Sequence, residues 1–544
     1  MNLGHVAATR PPPDRPAEQL TVDDARPAVS ADRTSRLVSL LQQVWRDWRI
    51  GAVIAIAAPV AYGLLAGWLT PRGPLTTAEA LTAMVVSVVV GGIAGLVIRS
   101  RWAMLLAPVA FVAAFELMRM PIMGPTVDGI HLDTTYGWIA FGTGRGFHGL
   151  LAIPTMVLGA ALGAALARRL SDAARDRRGW AKVRLYGRRA GVGLLTVGLL
   201  VLAVGVARPA STDPILADDG QPLAGSIAEL SSVEIGGHKL AVMIRGHSVD
   251  NPVLLFLAGG PGGTELGAMR RHLPALEQDF VVATFDQRGT GKSYDQLDPT
   301  STLTFDAAVS DVLEMTNYLR DRFGQDQIYL VGQSWGTTLG VVAVQQQPQL
   351  FHAYIGTGQM VSQRATDQIY YEDTLAWAGE TGDLGLVDRL TQSGPPPYDN
   401  ILYYEQALSH EMDMYPYDHS QNSEGEGQFS ENILVEEYSL TEQVHNLGAM
   451  LDVFATLYPQ IQDVDFRVDA TRLEVPVYLV QGRHEAPGRA ILADEWFAML
   501  DAPSKEMITF DTSGHRPLFE QPDRFHEVMT EIVLQETQPS KATP

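Results

Sequence analysis

The first half of the chain alternates long apolar runs with short polar segments. Apolar residues dominate at about 49–70, 77–98, 102–118, 147–167 and 190–207. A helix needs about 20 such residues to cross the hydrocarbon core of a bilayer, and each run is close to that length. The third run is the shortest and contains Glu116. This pattern predicts an all-α transmembrane domain of about five helices within residues 35–210.

Two segments precede the first apolar run. Residues 1–34 are rich in proline and polar side chains, so we expect a disordered tail rather than a cleavable signal peptide. Between Ser35 and Arg49, leucine, valine and tryptophan recur at helical spacing among arginines. This segment is either an amphipathic helix on the membrane surface or an extension of the first span.

The pattern changes after a linker rich in proline, aspartate and glycine, at about residues 211–228. Short runs rich in β-forming residues follow, at Ser232–Ile235, Leu240–Ile244, Val253–Leu257, Phe280–Phe285, Ile328–Val331, Ala353–Ile355, Val475–Val480 and Met507–Phe510. Helical stretches lie between most of the later runs, at about 305–323, 335–347 and 522–535. Strands that alternate with helices predict a mostly parallel sheet flanked by helices.

Composition excludes several classes of protein and site. Of the 544 residues, 46% are hydrophobic and none is cysteine, which excludes disulfides, thiolate metal sites and a cysteine nucleophile. The formal net charge of −22 argues against nucleic acid as a partner. The charge is divided unevenly, because residues 1–210 hold 22 Lys and Arg against 12 Asp and Glu, whereas the remainder holds 18 against 50. We therefore expect the two halves to meet different environments.

Basic residues between the apolar runs indicate how the chain is inserted in the lipid bilayer. Seven Lys and Arg lie within residues 1–49, up to the start of the first run, and nine lie within residues 168–189, whereas the loop after the first run has only Arg72. Lys and Arg accumulate on the cytoplasmic side of a membrane. This distribution predicts a multi-pass protein of the cell membrane with a cytoplasmic N-terminus and, after five crossings, an extracytoplasmic second half. An even number of spans would reverse that orientation.

A candidate nucleophile follows the fifth predicted strand. Ile328–Val331 leads directly into Gly332-Gln333-Ser334-Trp335-Gly336 and then into a helical stretch. G-x-S-x-G between a strand and a helix is typical of a nucleophile elbow, in which small glycines allow a strained turn that lifts the serine hydroxyl clear of the sheet. The sequence therefore predicts Ser334 as a catalytic nucleophile.

A serine hydroxyl needs a base to remove its proton, and the base needs an acid to orient it. In this arrangement the chain order is Ser, acid, His. His515, which follows the last predicted strand, is the candidate base. Glu485, which follows the strand Val475–Val480, is the candidate acid, with Asp494 in reserve. This chemistry requires no metal ion and no cofactor.

The oxyanion that forms during acyl transfer needs N–H donors about 3 Å away. One candidate donor is the amide of Trp335, directly after the nucleophile. The other is the amide of Gly260, in the glycine-rich run Ala258–Gly263 that follows the strand Val253–Leu257. Glycines at this place let the backbone approach a substrate closely.

Three of these sequences together resemble the proline iminopeptidase branch of the α/β-hydrolases. They are Ala258–Gly263 (AGGPGG), Phe285–Ser293 (FDQRGTGKS) and Gly332–Gly336 (GQSWG). The family pattern contains HGGPGG, DQRGxGxS and GxSWG, followed by an acid in a GRxD-like segment and a late Gly-His. Ala258 stands where the family has histidine, and Glu485 stands where it usually has aspartate.

The resemblance covers about residues 225–540 and implies an α/β-hydrolase sheet with a helical cap inserted after the sixth strand. The expected organisation is therefore a tail (1–34), a transmembrane domain (35–210), a linker (211–228), a first part of the α/β core (229–360), a helical acidic cap (361–470) and a second part of the core (471–538). The resemblance implies nothing about residues 1–210.

The predicted cap is strongly acidic. Residues 361–470 contain 21 Asp and Glu against 3 Lys and Arg. A cleft under such a lid favours cationic or neutral ligands over anionic ones. Members of the resembled family use cap glutamates to hold the free amine of a peptide substrate, and Glu436 and Glu437 are candidates for that contact.

The expected function is that of a membrane-anchored serine hydrolase, most simply an aminopeptidase that releases an N-terminal residue, of the proline type, from short peptides. The alternative is an esterase or lipase that acts on small neutral esters with the same three residues. A third hypothesis is a non-catalytic membrane receptor or scaffold with a hydrolase fold. The intact order of Ser334, Glu485 and His515 argues against the third hypothesis.

Overall fold

The computed structural model of the protein describes Ser39 and residues 41–171, 180–415 and 431–537. The predicted tail (1–34) lies outside the described residues, as do parts of the basic segment 168–189 and of the predicted cap. We call residues 41–207 the helical half and residues 208–537 the α/β half.

The helical half is built from antiparallel and parallel helices joined by short loops. Their bounds are α1 (Trp48–Leu69), α2 (Thr77–Ile98), α3 (Ala103–Arg119), α4 (Thr135–Phe141), α5 (Phe147–Leu170) and α6 (Trp180–Ala207). The π-helical turn Gly142–Gly146 joins α4 to α5 in one continuous run. Thr76 and Glu79 form a capping box that starts α2, since each side chain accepts a hydrogen bond from the other residue's backbone amide.

Four helical runs in the described residues are long and apolar enough to cross a membrane. They are α1, α2, the run Thr135–Leu170 and the greater part of α6, with mean hydropathy between 2.0 and 2.5. The sequence predicted a fifth span, and the corresponding helix, α3, has 17 residues. At 1.5 Å per residue α3 is about 26 Å long, somewhat less than the roughly 30 Å hydrocarbon core of a bilayer.

The short helix α3 nevertheless lies inside the bundle and runs in the same direction as α1. Gly63 of α1 lies against Phe111, and Gly67 lies against Phe115 one turn further along both helices. The chain therefore returns along α3 to the end of the bundle at which α1 finishes.

Small residues bring α2 and α5 together. Gly159 and Gly163 of α5 are spaced one turn apart and both lie against the backbone near Gly92 of α2. Gly95 of α2 lies in the same way against the backbone of Ala160. A Cβ atom at Gly95, Gly159 or Gly163 would collide with the facing backbone, so the close approach of the two helices depends on the missing side chains.

The segment before α1 forms a separate short helix. Residues 41–46 are helical, and the chain leaves helical geometry at Asp47, whose side chain accepts a hydrogen bond from Arg49 N at 2.9 Å and caps α1. Of the two alternatives for Ser35–Arg49, this break favours a separate helix over a continuous extension of the first span.

The α/β half is organised around an eight-stranded sheet. Its strands are β1 (Ile227–Ile235), β2 (His238–Gly246), β3 (Val253–Leu257), β4 (Val281–Phe285), β5 (Ile328–Gln333), β6 (Phe351–Thr357), β7 (Val477–Gly482) and β8 (Lys505–Phe510). The spatial order is β1-β2-β4-β3-β5-β6-β7-β8; β2 pairs antiparallel with both β1 and β4, and every other pair is parallel. All eight strands lie where the sequence predicted them, with β1 beginning at Ile227 rather than Ser232.

The central strands are covered on both faces. Every residue of β3, β4 and β5 is buried. Parallel strands that lie between two helical layers read as continuous apolar runs, which is why the sequence reveals them. This sheet is the α/β-hydrolase sheet that the motifs implied.

Helices flank the sheet and fill the interval between β6 and β7. Their bounds are α7 (Leu266–His272), α8 (Leu276–Asp279), α9 (Phe305–Phe323), α10 (Trp335–Gln346), α11 (Gln363–Thr381), α12 (Leu384–Ser393), α13 (Glu405–Leu408), α14 (Glu411–Met414), α15 (Leu440–Leu457), α16 (Phe466–Asp469), α17 (Pro487–Met499), α18 (Pro517–Glu520), α19 (Pro522–Glu527) and α20 (Leu534–Thr537). Short 3₁₀ turns occur at Gly291–Gln296, Thr300–Thr302, Pro348–Leu350, Ile401–Tyr404 and Tyr458–Ile461, and a π-helical turn, Val528–Val533, joins α19 to α20.

Candidate active site

The candidate site lies at the carboxyl edge of the sheet. The strands β3, β5, β7 and β8 are parallel, so the loops that follow them meet at the same edge. These loops carry the glycine-rich run Ala258–Gly263, Ser334, Glu485 and His515.

Ser334 lies in a strained turn between β5 and α10. Its backbone has φ 51° and ψ −119°, a conformation with positive φ that a residue with a side chain adopts rarely. A Cβ atom at Gly332 would lie 2.6 Å from the carbonyl oxygen of Gly336, and one at Gly336 would lie 2.7 Å from the carbonyl carbon of Leu257. The two glycines are therefore required for the chain to make this turn against β3, as in a nucleophile elbow.

The structure brings the three predicted side chains together in one line. His515 Nε2 lies 2.9 Å from Ser334 Oγ, and His515 Nδ1 lies 2.7 Å from Glu485 Oε2. Because a carboxylate only accepts, the second contact places the proton of a neutral imidazole on Nδ1 and leaves Nε2 free to accept from the serine hydroxyl. Glu485, rather than the exposed Asp494, occupies the position beside the imidazole.

Glu485 is buried, and an arginine keeps it ionised. Burial alone would raise the pKa of this carboxyl, but the charges of Arg489 and His515 hold its pKa at about 2. Arg489 Nε donates to Glu485 Oε1 at 2.7 Å, and the amide of Ala486 donates to the same oxygen at 2.8 Å. Glu411, from α14, forms a second ion pair with Arg489. The candidate acid is thus tied through Arg489 to the helices between β6 and β7.

The two predicted oxyanion donors belong to two segments next to the nucleophile. Trp335 is the first residue of α10, and the first amides of a helix have no partner inside the helix. Gly260 has φ 133° and lies in the loop after β3. A Cβ atom on the neighbouring Gly259 would lie 3.4 Å from Ser334 Cβ, so this loop passes beside the nucleophile. That placement is suited to donation from both amides toward one oxygen.

Gln287, which was not among the predicted site residues, links the two segments of the candidate oxyanion site. The indole N–H of Trp335 donates to Gln287 Oε1 at 2.8 Å, and Gln287 Nε2 donates to the carbonyl of Ala258 at 3.2 Å. The signal was available, because Gln287 belongs to the DQRGxGxS motif. Its contact with Ala258 steadies the loop at the residue where the resembled family has histidine.

Two buried glutamates hold the loops of the site and were also missed. Glu265 accepts from the amide of Gly259 at 3.1 Å and from Arg516 at 2.8 Å. Glu520 accepts from the amides of Gly514 and Arg516 at 2.5 and 3.0 Å, on either side of His515. No local pattern in the sequence indicates Glu265, because its partner Arg516 lies far away along the chain.

The two candidate amine-binding carboxylates have another partner. Glu437 is fully buried in an ion pair with Arg270, and Glu436 lies 3.3 Å from the same guanidinium. The positive charge of Arg270 neutralises the negative charge of these carboxylates, which would be needed to bind the amine of a substrate. Within the described ranges, no group of three or more His, Asp and Glu side chains is arranged to hold a metal ion.

Comparisons with known proteins place this half of the chain in a family. Residues 252–522 match the model of the alpha/beta hydrolase fold family. The probable aminopeptidase YbaC of Bacillus subtilis (strain 168) is 29% identical over 317 residues, which cover 57% of this chain and 97% of that protein. The probable proline iminopeptidase of Leptolyngbya boryana is 25% identical over 289 residues, or 51% of this chain and 85% of that protein.

Among solved structures, a proline iminopeptidase-related protein of Thermus thermophilus is 20% identical and has a TM-score of 0.42, with 57% of this chain and 98% of that chain covered. The family model, the curated relatives and the sheet described above agree on the kind of protein. The C-terminal half of this chain is therefore an α/β-hydrolase of the proline iminopeptidase-like branch, and the protein is a hydrolase.

Proposed function

We propose that this protein is a membrane-anchored serine aminopeptidase that releases an N-terminal residue, of the proline type, from short peptides. The observation that carries the proposal is the unbroken line of hydrogen bonds from Glu485 through His515 to Ser334. The relatives named as a probable aminopeptidase and a probable proline iminopeptidase support the choice of substrate class.

In the proposed reaction Ser334 Oγ attacks the carbonyl carbon of the first peptide bond while His515 Nε2 takes the hydroxyl proton. The ionised Glu485 stabilises the imidazolium that results. The amides of Trp335 and Gly260 bind the oxyanion. His515 then gives the proton to the leaving amine, the C–N bond breaks and an acyl-enzyme remains. Water, activated by the same imidazole, hydrolyses the ester and returns the serine.

An esterase acting on small neutral esters is the second candidate function, and one observation favours it. Arg270 engages both Glu436 and Glu437, so these two carboxylates are poorly placed to hold a substrate amine. The non-catalytic scaffold is not proposed, because the chain is a hydrolase.

The two enzyme functions separate in one experiment on the full chain in detergent. Rates are measured for a proline arylamide and for a short acyl ester of the same chromophore. An aminopeptidase hydrolyses the proline arylamide, whether or not it also hydrolyses the more reactive ester, whereas an esterase gives turnover with the ester alone.

Ser334→Ala tests the mechanism in the same assay. Loss of the nucleophile is expected to lower kcat by about 10³-fold or more and to abolish labelling by a phosphonate serine probe. The matched control is His484→Asn, an exposed histidine beside Glu485, which is expected to keep wild-type rates. Equal labelling of wild type and Ser334→Ala would contradict the proposed nucleophile.

We further propose that the α/β half lies outside the cell membrane and the N-terminus inside. At the opposite end of the bundle, Arg99, Arg101 and Arg168 line one groove of about 760 Å³, as expected for a cytoplasmic face. The chain has no cysteine, so one introduced thiol reports its own side. In intact cells an impermeant maleimide should label Ser301→Cys but label Ser171→Cys only after permeabilisation. The reverse pattern would overturn the orientation.

A further inference from the structure

Two loops of the helical half reach the α/β half. They are residues 70–76, between α1 and α2, and residues 120–134, between α3 and α4. Both lie at the end of the bundle from which α6 leads into the first strand. Their contacts converge on one helix, α15, and on the turns beside it.

Arg72 is the centre of this interface. Its guanidinium donates to both carboxylate oxygens of Asp298, at 2.9 and 3.0 Å, and to Asp452 of α15 at 2.5 Å. Arg72 and Asp452 are each 1% exposed. Burial alone would lower the pKa of Arg72, but the charge of Asp452 raises it above its usual value, so the guanidinium stays charged. The interface therefore contains a fully buried ion pair contributed by both halves.

Asp452 has its remaining lone pairs satisfied by the same set of elements. The amide and hydroxyl of Thr126 donate to it at 3.1 and 2.6 Å, and the hydroxyl of Tyr294 donates at 2.6 Å. Removal of one partner from such a network leaves a buried charge without compensation, which is strongly destabilising. This network therefore fixes the position of the helical half relative to the α/β half at Asp452.

Further contacts fix α15 and the segment before it to the helical half. His445 Nε2 donates to the carbonyl of Pro74 at 2.8 Å. Thr143 lies directly against Gly448, where a Cβ atom would collide with its side chain. In the chain before α15, both oxygens of Glu405 accept from the first amides of α4, at 2.8 Å each.

The opposite face of α15 lies against the loops of the active site. A Cβ atom at Gly262, in the glycine-rich loop that carries Gly260, would lie 2.7 Å from Met450 Cα. One at Gly289, two residues after Gln287, would lie 2.8 Å from Val453 Cγ2. The helix α15 is therefore packed between the helical half on one side and the glycine-rich run Ala258–Gly263 on the other. We call this run the oxyanion loop.

We propose that the helical half is a structural component of the active site. Its loops clamp α15 through Arg72 and Asp452, and α15 in turn sets the position of the oxyanion loop. Arg72 and Asp452 are positioning residues for the reaction, since they touch neither Ser334 nor His515. This inference rests on the proposed serine-hydrolase function and gives the membrane helices a role beyond anchoring.

The test is Arg72→Gln in the full chain, assayed in detergent with the substrate that the wild type turns over best. A small misplacement of catalytic donors costs about 100-fold in rate, and we expect a loss of that order in kcat with KM changed less than about threefold. Arg72→Lys, which keeps the charge but not the two-pronged contact with Asp298, should recover part of the rate. Arg101→Gln, at the opposite end of the bundle, is the matched control and should behave as wild type.

Thermal unfolding of each variant shows whether Arg72→Gln remains folded. If it melts cooperatively and keeps wild-type kcat, the proposal is overturned. If it does not fold, Asp298→Asn decides, because it removes only the partly exposed partner and leaves the pair with Asp452. A severalfold fall in kcat supports the proposal, and an unchanged kcat overturns it. Retained activity in Ser334→Ala would refute the proposed function instead, so the two failures are distinguishable.

Discussion

The two halves of this molecule place their large apolar side chains in opposite ways. In the helical half, Val53, Leu105 and Leu194 are among the many large apolar residues that point outward, whereas the contact between α2 and α5 is made by glycine and alanine. In the α/β half the largest apolar side chains of the core, such as Trp335 and Trp496, are fully buried, and most charged residues lie on the protein surface.

The difference is the one expected between a half that meets hydrocarbon, as proposed for the helical half, and a half that meets water. In hydrocarbon, apolar surface gains nothing by burial, so helices associate through close backbone approach at small residues. In water, burial of apolar surface is the main stabilising contribution. Glycine therefore has a different use in each half: Gly95 brings two helices together, whereas Gly336 makes room for the turn that carries the nucleophile.

The largest expected effect comes from removing the acid of the α/β half. Glu485→Gln should lower kcat by about 10³- to 10⁴-fold, because the amide favours the wrong imidazole tautomer. It also leaves the buried Arg489 with one carboxylate fewer, so the melting temperature should fall. Steady-state kinetics and thermal unfolding measure both effects.

Asp494→Asn is the control for that prediction, since Asp494 is the exposed carboxylate on the same helix as Arg489. It should leave kcat and the melting temperature unchanged. Loss of activity in Asp494→Asn with normal rates in Glu485→Gln would show that the acid is misassigned.

A change in the helical half should act on stability instead. Gly95→Leu forces a side chain into the backbone of Ala160 and should cost about 3 kcal/mol, because overpacked interfaces do not yield easily. Thermal unfolding of the full chain in detergent should show a fall of several degrees. Gly198→Leu in α6 is the matched control, because a Cβ atom there meets open space. Equal melting temperatures for the two variants would contradict the packing described for α2 and α5.

The smallest expected effect, counted per pH unit, is a pH dependence within the α/β half. Burial raises the pKa of Asp367 from 3.8 to about 7, while hydrogen bonds from Tyr458 and Gln462 partly oppose that rise. The folded chain therefore binds this proton more tightly than the unfolded chain. The stability it contributes is complete below about pH 3.8 and is lost as the pH rises through about 7, by at most about 1.4 kcal/mol per pH unit.

Asp367→Asn replaces the titrating carboxyl and should flatten the fall in melting temperature between about pH 4 and pH 7. A variant that keeps the wild-type slope would show that Asp367 is not the group responsible. Asp463→Asn changes an exposed carboxylate next to Gln462; it is the control and should leave the slope unchanged.

Local sequence signals were sufficient to predict much of the fold and the three side chains Ser334, His515 and Glu485 of the candidate site. The strands were readable because each is a short apolar run bounded by turn residues. Ser334 was readable because a strand, two glycines and a helix surround it within a few residues. His515 and Glu485 followed from chain order, and the structure brings them to hydrogen-bonding distance.

The parts that the sequence did not reveal depend on contacts between residues far apart in the chain. Glu265 and Arg516 are separated by 251 positions, so no local pattern connects them. Glu436 and Glu437 were chosen because they are acidic and lie in the cap, but local composition does not show that Arg270 engages both. The ion pair between Glu485 and Arg489 could have been predicted from the sequence, because Arg489 follows Glu485 by four positions, a spacing that favours such pairs.

The ion pair between Arg72 and Asp452 joins positions 380 residues apart and so constrains the order of events during biosynthesis. The helical half leaves the ribosome first and, in the proposed membrane topology, enters the bilayer before most of the α/β half has been translated. The partner of Arg72, Asp452, is translated only in the last fifth of the protein. Formation of that pair requires α15 to be translated and packed against the helical half, so a truncated product that ends before α15 cannot form it.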